Sequence, residues 1–251
     1  MKMNTCPLLR ERGAILLFVT LLIVYALVGR MAYADNDFKV YSPYVIQDRS
    51  EIEFAGFGYQ DSNPNLNDAQ GYDFSLAYGV TDWWKPEIYF AQFNHDPIGG
   101  THFSGYEFEN TFQLAQMGEY WADPGFIISY DRIKASNTPD VLEFGPLFEK
   151  RVNRIDQRLN LIWEKEIGGG ASGKYEFRSA YSVNYRITSA VQPGLEAYYR
   201  PNDKASHLGP VISGELHTIA GSETEYTLGV VFGLNSQAPD RAMIARLEYE
   251  F

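Results

Sequence analysis

After residue 34 the chain alternates apolar and polar side chains almost without interruption, a period of two that fits strands and not helices. Over residues 175–187 the odd positions read Tyr, Phe, Ser, Tyr, Val, Tyr, Ile, while the even ones are Glu176, Arg178, Ala180, Ser182, Asn184 and Arg186. Such a segment is a strand with one apolar and one polar face. The same reading predicts about twelve strands, near 49–60, 71–80, 84–93, 103–116, 125–133, 140–149, 157–166, 174–187, 190–200, 207–217, 225–235 and 241–251. Most are 10 to 14 residues long. Soluble strands average about 5–6 residues, whereas a tilted bilayer crossing needs about 9–11. No stretch after residue 34 approaches the roughly 18 apolar residues of a spanning helix.

The two faces decide which solvent lies outside. Ile52, Phe54, Phe74, Leu76, Ile88, Phe90, Phe108, Phe112, Phe144, Trp163, Phe177, Leu195, Leu228 and Phe232 share the apolar face. Packed inward, so many bulky side chains would overfill a round barrel. With lipid outside they have room, and the charged face lines the lumen. The expected fold is therefore all-β: a single antiparallel transmembrane β-barrel over residues 48–251, of twelve strands or, with small errors of count, ten to fourteen.

Residues 1–34 read as a cleaved signal peptide. Lys2, Arg10 and Arg12 precede an apolar run over 14–28, and Ala32-Tyr33-Ala34 offers the cleavage site. Without that segment the chain has no cysteine, which excludes disulfides and thiolate metal sites, and a net charge of −14. That acidity argues against nucleic acid. Residues 35–47 precede the first strand as a periplasmic segment that either plugs the mouth or hangs free. Loops at 61–70, 94–102, 134–139, 167–173, 201–206 and 236–240 are expected outside, and tight turns such as Thr188-Ser189 in the periplasm, which places both termini there.

At the C-terminus Met243, Ala245, Leu247, Tyr249 and Phe251 alternate with Ala242, Ile244, Arg246, Glu248 and Glu250. This resembles the terminal β-signal of Gram-negative outer-membrane proteins. The resemblance implies that Leu247, Tyr249 and Phe251 are read by the barrel-assembly machinery, and that lipid and lipopolysaccharide surround the barrel. The stretch 72–90 with Gly79-Val80-Thr81-Asp82-Trp83-Trp84, together with Tyr106-Glu107-Phe108-Glu109-Asn110 and Gly118-Glu119-Tyr120-Trp121, is similar to a group of small exported proteobacterial barrels. These are grouped with transporters of the aromatic meta-cleavage (phenol-degradation) pathway, so the resemblance implies transport and no particular solute.

The inward face supplies the candidate pore-lining residues: Glu53, Asp73, Glu87, Glu107, Glu109, Glu143, Arg158, Glu164, Glu176, Arg178, Arg186, Glu196, Arg200, Glu215, Arg246 and Glu248. Glutamates ringing a narrow pore select cations, and arginines facing them orient polar solutes. The same groups can instead pair and close the lumen. Arg158, Arg178, Arg186, Arg200 and Arg246 form either a basic wall opposite strands 1 to 6 or individual ion pairs, Arg246 with Glu51 or Glu53. The expected function is passive diffusion of a small solute through this lumen, with no cofactor, metal or catalytic residue. A closed barrel that acts through its loops is the alternative, and a lipid-modifying enzyme the third reading. His95, Asp96 and His102 share one loop at loose metal-ligand spacing. Ser213 and His217 lie too far apart along one strand to act together.

Overall fold

The computed structural model describes residues 38–134, 138–217 and 221–251. The expected signal peptide, residues 1–34, lies outside the described residues. Twelve strands follow one another: β1 (Ser50–Gln60), β2 (Gln70–Tyr78), β3 (Trp84–Asp96), β4 (Gly100–Gln113), β5 (Asp123–Ile133), β6 (Asp140–Val152), β7 (Ile155–Ile167), β8 (Tyr175–Tyr185), β9 (Gln192–Arg200), β10 (Ala205–His217), β11 (Glu223–Gly233) and β12 (Arg241–Glu250). Each pairs antiparallel with its sequence neighbours, and β12 returns to β1 to close the barrel. At the seam Glu51 stands opposite Glu250 and Gln60 opposite Arg241. Closure leaves no free strand edge among them, as a hydrocarbon surround requires.

The seam defines two ends. Ser50 and Phe251 bond each other through backbone N–H and C=O in both directions, and their end is called here the terminal end. The opposite end is the loop end. Alternation sets the faces: Ile52, Phe74, Leu76, Phe108, Leu195 and Phe232 are exposed on the outer wall, whereas Glu53, Asp73, Glu87 and Glu109 are buried within. At β3 a bulge between Tyr89 and Gln92 inserts an extra residue. It leaves Phe90 pointing outward and returns Gln92 to the lumen, where its amide donates to Glu107 at 3.4 Å.

Three details differ from the sequence reading. β3 and β4 run on through residues expected in a loop, so that only 97–99 separate them. Register explains the extension: Asn94 pairs with His102 and Asp96 with Gly100. β8 stops at Tyr185, leaving Arg186 in the turn where its N–H donates to the Arg154 carbonyl. β4 ends at Gln113, short of the expected 116, and one further backbone bond, from the Leu114 N–H to the Pro124 carbonyl, precedes the 114–122 connection at the terminal end.

Inside, the wall is not uniformly charged. Phe57, Tyr59, Ala180, Tyr198, Val211, Val231, Ala242 and Ile244 form a buried apolar cluster together with Phe38, which precedes the first strand. A second patch of Ile127, Leu147 and Ile162 packs against Tyr41.

Candidate functional site

Residues 38–47 enter from the terminal end and climb the lumen. Ile46 lies so close to Gly79 that a Cβ there would meet the Ile46 carbonyl at 1.9 Å. Higher up, the Tyr44 hydroxyl donates to Asp123 at 2.6 Å, and Gln113 accepts from the Val45 N–H at 2.8 Å. Ser42 donates to Glu149 at 2.7 Å. Asn160 holds Tyr41 on both sides, accepting its N–H at 2.7 Å and donating to its carbonyl at 3.0 Å. The side-chain amide takes the role of a missing β partner for an isolated extended segment. Residues 38–47 thus lie against the inner wall and do not hang free of it.

Lys39 and Phe38 finish the seat. The Lys39 ammonium lies 2.7 Å from Glu53 and 3.8 Å from Glu87, and donates to the Tyr89 hydroxyl. Burial by itself would lower its pKa, but Glu53, Glu87 and Glu109 outweigh that and hold it well above its ordinary value, so Lys39 stays charged. Phe38 is ringed by Phe57, Tyr59, Tyr198 and His207 with centroids 5.0–6.0 Å away, three of the four pairs edge-on. Its carbonyl accepts from the Tyr198 hydroxyl at 3.3 Å and from Arg246.

Around the segment the arginines are paired. Arg178 meets Glu143 and, at 2.7 Å, Glu164, and Arg200 reaches Glu164 at 2.7 Å and Asp203 at 3.1 Å. Glu149, fully buried, takes Arg151 at 2.7 Å and Arg158 at 3.0 Å. Arg246 pairs with Glu196, not with Glu51 or Glu53 across the seam, because its neighbour β1 already gives Glu53 to Lys39 and Glu51 to Lys85. An open basic wall does not form, since every one of these guanidinium groups finds a carboxylate nearby. Arg186, beyond β8, meets Glu215 at 3.4 Å.

Most of the expected inward residues do face the lumen. Glu53, Asp73, Glu87, Glu109, Glu164, Arg178 and Glu196 are buried there, and Glu107, Glu143, Arg158, Arg200, Glu215, Arg246 and Glu248 are partly so. Glu176 is exposed near the start of β8, on the loop-end rim. Sequence reasoning missed Lys39, which belongs to no strand and so to no face. It also missed Glu149, Asp156 and Glu250, although each shares the parity of a lumen residue assigned on its own strand, and Asp123 and Glu225, whose strands β5 and β11 held no assigned lumen residue. The loop histidines do not converge: His95 bonds Thr101 at 2.9 Å, and His102 lies 3.6 Å from Asp96. Ser213 bonds Thr227 at 3.0 Å, leaving it no part in a pair with His217.

Space remains beside the segment. A cavity of about 420 Å³ at the terminal end is lined by residues 39–46 on one side and by Glu51, Glu225, Glu248, Glu250, Arg158 and Arg246 on another. A smaller one of about 140 Å³ lies by Phe38, among Tyr59, Arg178, Arg200 and His207.

The closed barrel has a solved counterpart in fold. The chain is similar to the COG4313 outer membrane channel from Pseudomonas putida F1, with 11% identity, 87% of this chain and 99% of that one covered, and a TM-score of 0.54. The two chains share the closed-barrel fold. The likeness accords with the group of small exported barrels that the hairpin motifs resemble. Weaker likenesses extend to an anion-selective porin from Comamonas acidovorans, at 6% identity, 80% and 97% coverage and a TM-score of 0.35. No protein-family model matches the chain, and no curated protein does.

Proposed function

We propose that this protein is an outer-membrane channel that passes small solutes by passive diffusion along an acidic, arginine-containing lumen, with residues 38–47 seated in that lumen as its occluding element. In this reading both ends of the barrel chain face the periplasm, and Leu247 and Tyr249 on the outer face of β12, with Phe251 just beyond it, serve the assembly machinery. The observation that carries it is the cavity of about 420 Å³ beside the segment, lined by Glu51, Glu225, Glu248 and Glu250, within a wall whose outer face is apolar. Glu225 and Glu248 line that space, so a cation meets favourable potential and an anion does not.

Planar-bilayer recordings in a salt gradient test this. Discrete, cation-selective steps are expected, enlarged when residues 35–47 are deleted, with selectivity reduced by Glu225→Gln and Glu248→Gln together. Silence from both the intact and the deleted protein, each folded by heat-modifiable mobility, would overturn the channel reading and leave a closed barrel that acts through its loops.

A further inference from the structure

One sector of the wall carries charge that its ion pairs do not absorb. β10, β11, β12 and β1 are successive neighbours, and their register sets acids against acids: Glu215 opposite Glu225, Glu225 opposite Glu248, and Glu223 opposite Glu250. Like charges directly opposite in a ladder are destabilising. Among the described residues the carboxylates of Glu225, Glu248 and Glu250 accept no hydrogen bond, and Glu250 is only 6% exposed.

At the terminal-end rim of this sector, donors of two kinds converge. Glu215 and His217 come from β10 and Glu223 from β11, each offering one ligand atom within 4.8 Å of the others. His217 stands opposite Glu223 in register, its Nδ1 3.3 Å from the carboxylate Oε2. A tetrahedral site with metal bonds of about 2.05 Å has donor–donor edges of about 3.3 Å. Glu215 is held by long contacts, 3.4 Å from Arg186 and 3.3 Å from the Gln192 amide, which a small side-chain rotation would release. His217 is exposed, so an ion reaches the site from solvent.

We propose that Glu215, His217 and Glu223 bind a divalent ion of the zinc type, with water completing the coordination. An imidazole with two carboxylates suits zinc, whereas calcium and magnesium prefer oxygen donors throughout. The ion would tie β10 to β11 and offset the acids beside it. The neighbouring group of Glu51, Glu248 and Glu250 offers oxygen only, and Lys85 already lies 2.6 Å from Glu51.

The test is calorimetric titration of the membrane-purified protein in detergent with zinc chloride and, separately, calcium chloride. One zinc per chain is expected, with affinity lowered at least about tenfold in both His217→Ala and Glu223→Gln, while heat-modifiable mobility shows both variants folded. Absence of zinc binding, or affinity kept in either variant, would overturn the proposal. So would a loss produced by Glu51→Gln instead, which would place the ion at the seam, or calcium binding as tightly as zinc.

Discussion

Lys39 is the residue on which the seat turns. It neutralises Glu53 and lies beside Glu87, so its removal leaves carboxylates buried without their cation. Breaking a buried pair in this way costs about 3–5 kcal/mol, a shift of roughly 100-fold or more in the ratio of seated to withdrawn segment. Lys39→Met should therefore raise single-channel conductance, or the fraction of time open, relative to the intact chain. The pH sense follows from the raised pKa. Lys39 contributes its full stabilisation below its ordinary value of 10.5 and loses it only as pH rises through the higher value of the folded state. Conductance of the intact protein should accordingly show no opening attributable to Lys39 between pH 6 and about 10, whereas a step within that range, absent from Lys39→Met, would contradict the assignment. Phe38→Ala, which empties a cage of four rings, should lower seating by about 3–5 kcal/mol, read as the same opening with the ion pair intact.

The threaded segment depends on room left by the strands. Gly125 faces inward on β5, and a Cβ there would stand 2.6 Å from the Pro43 Cβ and 3.0 Å from its Cα. Pro43 has no N–H to bond the wall, so its close fit against Gly125 and the hydrogen bonds of Ser42 and Tyr44 on either side hold it there. Gly125→Val should expel the segment while the barrel still forms, giving larger conductance steps than the parent and faster proteolysis within residues 38–47. Unchanged conductance in a folded variant would show that the segment shifts along the lumen without leaving it. The bulge at β3 acts at the same scale. It moves one residue of parity, and Gln92 thereby faces Glu107 rather than lipid.

At the scale of the molecule, the barrel closes through β1 and β12 and through hairpins between sequence neighbours, and none of those ladders uses residues 38–47. Deleting residues 35–47 should thus leave heat-modifiable mobility intact while stability to denaturant falls, since the lumen loses Phe38, Lys39 and Tyr41 as packing partners. A barrel that fails to fold without the segment would show instead that its inward apolar clusters need Phe38 to be covered during assembly.

Sequence by itself determined the strand number, the antiparallel order and the outward face. Period-two alternation is local, and lipid contact demands the same apolar parity along every strand. It also placed most of the lumen carboxylates, because parity carries a side chain inward whatever its partner. Tertiary structure alone decided who pairs with whom. Arg246 chose Glu196 over the seam acids, and Phe57 and Tyr59, which share the parity of Glu51 and Glu53, became half of a cage. The segment before β1 has no period to read. Its place in the lumen rests on contacts to residues up to 208 positions away, as between Phe38 and Arg246, and only closure of the barrel brings these together.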